Sequence, residues 1–235
     1  MRLFLALSRR QALCGLAVLL FVVGLFLVRS APRAGLSAQE VGKRAQDELK
    51  RTASYRFELT IHSLIDGQET MVSQVEGEFV RPDSYHLRGK SYDYPLEVYQ
   101  LGRRVFFQDP ADGEWKQAQG GPNLVTEAVD LGTSPLIDFL RSPSFELLGR
   151  ERIGDVVCYH LRSSLSEVAN PYWRVFFSDF LLDGWIDRTT FKLHQLELTG
   201  SNRAVPGDKL QIKLRLTDHD APITITLPPP LRLNP

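Results

Sequence analysis

The residues of this chain that could perform chemistry are few and scattered. They are His62, His86, His160, His194 and His219, the cysteines Cys14 and Cys158, and carboxylates such as Glu76 and Glu78. Hydrolytic, metal and phosphate sites need such groups at fixed intervals, as in His-Glu-x-x-His, Gly-x-Ser-x-Gly or a Gly-rich phosphate loop. None of those patterns occurs. Asp109-x-x-Asp112-Gly113 lacks the carboxylate spacing of a calcium loop and reads as a turn. Glu76 and Glu78 stand two apart in a strand pattern, so they share one face, outward, as a solvated edge rather than an acid–base pair. His62, His86 and His194 fall on polar strand faces, and His219 between Asp218 and Asp220 reads as a polar corner. The expectation is no catalytic residue, no metal and no cofactor, hence no enzyme. A hydrolase with an unrecognised site is the catalytic alternative.

The elements that would position any site are mostly strands. Residues 37–53 form a polar helix with Val41, Ala45 and Leu49 on one face, slightly weakened by Gly42. The period then falls to two: Tyr55, Phe57, Leu59 and Ile61 alternate with polar neighbours. Asp66-Gly67 closes a hairpin into 70–81, and Arg81-Pro82-Asp83, Gly102-Arg103 and Pro110 to Gly113 separate further strands at 94–101 and 104–108. Residues 118–132 are irregular, and 133–141 read as a short helix with Thr133 or Ser134 as cap and Pro135 in its first turn. Strand character resumes over 144–163. Residues 166–181 carry Tyr172, Trp173, Phe176, Phe177 and Phe180 and are expected as a short helix or irregular lid, although Trp173, Val175 and Phe177 also alternate. Strands follow at 182–187, 190–199, 209–217 and 222–227. In the third of these Leu210, Ile212, Leu214 and Leu216 face away from Lys209, Gln211, Lys213 and Arg215.

About ten strands with one apolar face require a covering layer. The short segments must supply it: Leu136, Ile137, Phe139 and Leu140 from one, Tyr172, Trp173, Phe176 and Phe177 from the other. The plain reading is a closed core. The sharper one is a cavity between a curved sheet and a lid, sized for acyl chains.

Residues 12–28 are an apolar run without a charge, spanning roughly 25 Å as a helix, near the short limit for a bilayer. Arg2, Arg9 and Arg10 precede it, while Arg29 and Arg33 follow, which favours the N-terminus inside. Arg29-Ser30-Ala31 is a poor cleavage site and Pro32 follows it, which argues for an uncleaved anchor over a signal peptide. Ser8-Arg9-Arg10-Gln11-Ala12-Leu13 also resembles a twin-arginine export signal. Cys14 stands at the start of the run after Leu13, the wrong place for lipidation. Cys14 and Cys158 sit on such different elements that neither a disulfide nor a zinc site is expected. The formal net charge is zero, yet residues 1–33 hold five arginines and no acid. The remainder carries 23 basic and 28 acidic residues, a net of −5, which gives no electrostatic reason to bind nucleic acid. The expected division is an anchor over 1–33 and one extracytoplasmic domain over 34–235, at the cell membrane with a single pass.

Several short patterns then occur in a definite order. A helix precedes Ser54-Tyr55-x-Phe57; Gly77-x-Phe79-x-x-Pro82-Asp83, Gly102, Trp115 and the Leu-rich 136–140 follow. Next come Gly154-Asp155-Val156-x-Cys158-Tyr159-His160-Leu161, the Trp185-Ile186-Asp187-Arg188 hairpin, and Asp218-x-Asp220-x-Pro222-Ile223-x-Ile225. Together, over about 38–228, the chain resembles the LolA/LolB-like lipoprotein-carrier superfamily, including its actinobacterial lipid-carrier relatives. The resemblance implies a mainly β (α+β) fold, a curved antiparallel sheet forming an incomplete β-barrel with a few helices on its concave face. It implies binding of a lipid or acylated protein in that apolar cavity. The sheet side would be lined by Phe57, Leu59, Ile61, Phe79, Leu87, Leu193, Ile212 and Leu214, the lid side by Leu136, Phe139, Leu140, Phe176 and Phe177. A soluble shuttle needs a cleaved signal and a lipoprotein acceptor needs a lipidated cysteine, so only fold and ligand class carry over. The alternative is an envelope regulatory or protein-interaction module on the same fold with a filled core.

Overall fold

The two-residue period of Tyr55 to Ile61 becomes the central strand of a single open sheet. In the computed structural model, which describes residues 35–117, 134–205 and 207–227, this strand is β1 (Ser54–Ile65). It pairs antiparallel with β2 (Gln68–Val80) on one side and with β11 (Lys209–Thr217) on the other. From β2 the chain meanders outward through β3 (Ser84–Ser91), β4 (Tyr94–Leu101), β5 (Arg104–Gln108) and the short β6 (Trp115–Gln117). The second half runs inward from the far edge: β7 (Glu146–Ile153), β8 (Val156–Leu165), β9 (Phe177–Asp187), β10 (Leu193–Asn202), then β11. The order across all eleven strands is β6-β5-β4-β3-β2-β1-β11-β10-β9-β8-β7.

Register sorts the side chains. Phe57 lies opposite Leu216 and Gly77, Leu59 opposite Leu214 and Val75, and Leu196 opposite both Leu214 and Gly184. These residues share one face, and Leu59, Leu196, Leu198, Ile212, Leu214 and Ile186 are fully buried there. The opposite face carries Arg56, Glu58, Glu76, Glu78, Lys213 and Arg215. Glu76 and Glu78 thus do face outward, but from an interior strand rather than an edge, paired with Arg88 and Arg56.

Three helices belong to the described residues. α1 (Ala38–Arg51) starts where the Ser37 hydroxyl accepts the Glu40 amide, and buries Val41, Ala45 and Leu49. Gly42 has a packing reason: a Cβ there would lie 2.2 Å from the Phe145 ring. α2 spans 134–141. Its Phe139 reaches the sheet at Gly184, where an added Cβ would sit 3.4 Å from the ring. Gln46 of α1 donates to the carbonyls of Phe139 (2.9 Å) and Ser142 (3.3 Å), fastening the two helices together. α3 (Pro171–Phe176) is capped by Asn170, whose side chain accepts from Tyr172 and Trp173.

Two expectations are corrected. The segment over 166–181 is not all lid: residues 177–181 already belong to β9, where pairing with β8 and β10 satisfies the backbone and turns Phe180 into the core. Residues 222–227 form no strand. β11 is already paired on both sides, and the chain leaves the sheet where Asp218 and Asp220 take positive φ and the Asp220 amide bonds to the Ser54 carbonyl. The apolar run 12–28, Cys14, residues 118–132 and the Thr133 cap lie outside the described residues. None of the described helices is long and apolar enough to cross a membrane. By internal contacts the described residues from Ser37 onward belong to one compact unit.

Candidate functional site

The helix-covered face brings most of the expected lining residues together. Phe57, Leu59, Ile61, Phe79, Leu87, Leu193, Ile212 and Leu214 are all buried on the sheet, and Leu136 and Phe139 are buried on α2. Leu140 is half-buried, as is Phe177, which stands in β9 rather than in a lid. Phe176 does not join them. It is 47% exposed at the end of α3, against Tyr172, while Trp173 is the residue that α3 buries. Phe57 also closes a gap: its ring lies where a side chain on Gly77 would be, 2.5 Å from the position of an added Cβ.

One charged group is buried behind this face. Asp138 of α2 is 4% exposed; its Oδ1 accepts the Ala169 amide at 2.6 Å, and its Oδ2 is buried without a partner. Burial pushes its carboxyl up to about 6, against the Ala169 amide and the Arg141 and Arg174 charges, which pull it down. The bond joins α2 to the segment that leads into α3. Ser163 on β8, inward-facing opposite Leu182, also buries an unpartnered hydroxyl.

The open face gathers the polar residues. The register sets His160 opposite Trp185 and Arg162 opposite Asp183. The His160 ring stacks on the Trp185 indole with centroids 4.5 Å apart. Its Nδ1 lies 2.8 Å from Glu151 Oε1 and its Nε2 2.9 Å from Asp183 Oδ1. Trp185 donates from Nε1 to Glu151 Oε2 at 2.8 Å, and Arg162 grips both oxygens of Asp183 at 2.9 Å. The Trp185 and His160 donors hold the Glu151 carboxyl below its usual range. A second cluster stands across the sheet: His86 stacks on Tyr99 at 4.1 Å, and its Nε2 lies 3.1 Å from Glu97. Burial first, then the Glu97 charge, pushes the Tyr99 phenol up to about 12.

Neither cluster contains a serine, threonine, cysteine or lysine. Burial and the Asp187 charge raise the Cys158 thiol to about 11, so it is protonated at neutral pH. Burial lowers His219 to about 4, and also lowers His194, whose ring centroid is 5.8 Å away. Among the described residues no group of three or more His, Cys, Asp or Glu side chains is placed to hold a metal. A groove of about 300 Å³ opens beside Arg56, Glu76, Glu78, His86 and Arg88. Its arginines are spent within the protein, Arg56 on Glu78 (3.0 Å) and Asp218 (2.8 Å), Arg88 on Glu76 (2.7 Å).

The Trp185-Ile186-Asp187 hairpin divides its roles as the sequence suggests. Ile186 is fully buried in the core and Trp185 lies on the opposite face. Asp187 Oδ1 accepts the amides of Thr189 (2.6 Å) and Thr190 (2.9 Å), closing the turn.

No family model and no curated protein sequence matches this chain. Solved structures that share its fold include two mycobacterial proteins. One is the Mycobacterium tuberculosis lipoprotein LppX, with a TM-score of 0.54 and 11% identity over 79% of this chain and 96% of that one. The other is LprF from Mycobacterium bovis, with a TM-score of 0.53 and 13% identity over 83% and 99%. At these identities the likeness shows the fold alone.

Proposed function

We propose that this protein is a membrane-anchored extracytoplasmic binding protein for a lipid or an acylated protein. The sheet curves as an incomplete barrel and holds acyl chains against its helix-covered face. One observation carries the reading: the strands between the two edges of the eleven-stranded sheet present an apolar face, and the described residues cover it with only three helices. An acyl chain entering between Leu59, Ile212 and Leu214 of the sheet and Leu136, Phe139 and Leu140 of α2 would gain about 0.8 kcal/mol for each methylene removed from water. Leu87, Phe79, Phe57, Ile61 and Leu193 extend the same lining. Phe177 borders it, and Phe176 would join only by turning inward. Binding of this kind needs no nucleophile, metal or cofactor.

Residues 12–28 would hold the domain at the membrane, with the arginines before the run keeping the N-terminus in the cytoplasm. The fold shared with a mycobacterial lipoprotein supports an envelope setting. The test uses purified residues 34–235. Solvent extraction with mass spectrometry is expected to recover acyl species, and a fluorescent fatty-acid probe to be taken up and displaced by unlabelled lipid. A protein that yields no acyl species and takes up no probe ends this reading.

A further inference from the structure

The strand directions bring five connections to one rim of the sheet: the β1–β2 turn, the β3–β4 turn, the β5–β6 turn, the β8–β9 segment with α3, and the β10–β11 loop. Among the described residues eleven large apolar side chains are exposed, and eight of them stand at this rim. The turns and the start of β2 contribute Ile65, Met71, Tyr92 (68% exposed) and Tyr94, and α3 contributes Tyr172 (63% exposed), Val175 and Phe176. The opposite rim, with Arg81 to Ser84, Asp187 to Thr190 and Asp218 to Asp220, has only Val157 near it. Leu147 and Leu148 lie on edge strand β7.

Hydrogen bonds make the first rim one surface. The Asp66 amide donates to Asp208 (3.1 Å), Arg203 donates its amide to the Phe176 carbonyl (2.9 Å), and its Nε donates to the Phe177 carbonyl (2.9 Å). The β1–β2 turn, the loop bearing the exposed Val205, and α3 are thereby held side by side.

We infer that this rim docks on the surface of a lipid bilayer, with its tyrosines in the headgroup layer and Ile65, Val175 and Phe176 in the outermost acyl region. The inference rests on the anchored reading above. Between the apolar run 12–28 and Ser37 lie eight residues, which reach at most about 29 Å even when fully extended. A unit of this size is roughly 40 Å across. So short a tether keeps the domain against the bilayer, and the face that gains most from lipid is the one with exposed apolar tips. Tyrosine is the side chain that suits such a boundary, with an apolar ring and a polar end. Charges at the rim are mixed, Arg174, Arg203 and Lys209 against Asp66, Glu167 and Asp208, so attraction to anionic lipid is not the driving force. An acyl ligand taken from or given to the membrane would then enter or leave at this rim.

Flotation of residues 34–235 with vesicles tests the inference. Wild type is expected to float with phosphatidylcholine–phosphatidylethanolamine vesicles and to gain little from added phosphatidylglycerol. The triple variant Tyr172→Ser, Val175→Ser, Phe176→Ser should partition at least about ten-fold less, while Val157→Ser matches wild type. Tyr92→Asn with Tyr94→Asn, on a separate turn, should also weaken flotation, and serves if the triple variant fails to unfold cooperatively in urea. Wild type that stays with the soluble fraction, or variants that float equally well, would overturn the inference. A concentration-dependent dimer that the triple variant abolishes would overturn it as well, assigning the rim to a second copy. Fatty-acid uptake by the folded Tyr92→Asn, Tyr94→Asn variant should be unchanged, so docking and acyl binding fail separately.

Discussion

Asp183 and Asp138 are almost equally buried, at 7% and 4% exposed, on opposite faces of one sheet, and the protein treats them in opposite ways. Asp183 receives two donors from Arg162 and lies 2.9 Å from the His160 Nε2. Asp138 receives one backbone amide and leaves its second oxygen without a partner. A buried carboxylate without a cation shifts toward its neutral form. The open face is therefore built as a satisfied scaffold. The helix-covered face tolerates a group that lowers stability at neutral pH, at the junction of α2 with the segment before α3. Stability has been placed in the sheet and withheld from the cover.

That contrast can be broken by substitution, beginning with the largest effect. Asp183→Ala strands Arg162 and His160 beside Glu151 alone and should cost about 3 kcal/mol in urea unfolding. A loss no greater than that of a surface pair would mean the cluster is decoration. Asp138→Asn should act the other way, raising stability at pH 7 by about 2 kcal/mol. The sign follows from the raised carboxyl: the folded state favours the protonated form, so wild-type stability falls as pH rises from about 4 to about 6 and levels off above that. The Asn variant should flatten this slope, and a slope that persists would place its origin elsewhere. Trp185→Phe keeps a ring for His160 to stack on but loses the donor to Glu151, for an expected cost of about 1 kcal/mol. Glu97→Gln in the His86 cluster, with one carboxylate and more solvent, should cost about 0.5 kcal/mol. If it proves as damaging as Asp183→Ala, the two clusters are equivalent after all.

The sheet was legible because its signal is local. Tyr55 to Ile61 and Leu210 to Leu216 alternate by two wherever they pair, so their inward faces can be read without knowing the neighbour. The open-face cluster was not legible. His160 and Trp185 stand 25 positions apart, and only the register of β8 on β9 makes them stack. The Val175–Phe176–Phe177 run suits a helix or a strand equally in isolation. Tertiary pairing divided it, ending α3 at Phe176 and starting β9 at the next residue. Residues 222–227 alternate like a strand, but β11 offers no free edge to join. Asp138 sits in a convincing helix pattern, and nothing local marks it as the residue that the fold would bury. The lining residues were findable as apolar positions. Whether each turns to the cover or to solvent, as Phe176 does, depends on how far α3 extends.

The pairing of β1 with β11 has a consequence for how the chain acquires its structure. Every other neighbouring pair in the sheet is adjacent in sequence, so each half can zip up as successive hairpins with low contact order. The seam between the halves joins Arg56 to Thr217, about as distant as two residues of this domain can be. During N-to-C synthesis or export, β2 to β6 can form on β1 long before its other partner appears. Until β11 emerges, β1 presents a long, apolar, unpaired edge, the kind of edge that recruits foreign strands. The seam should close last and open first, which makes the middle of this sheet, rather than its margins, the place where misassembly begins.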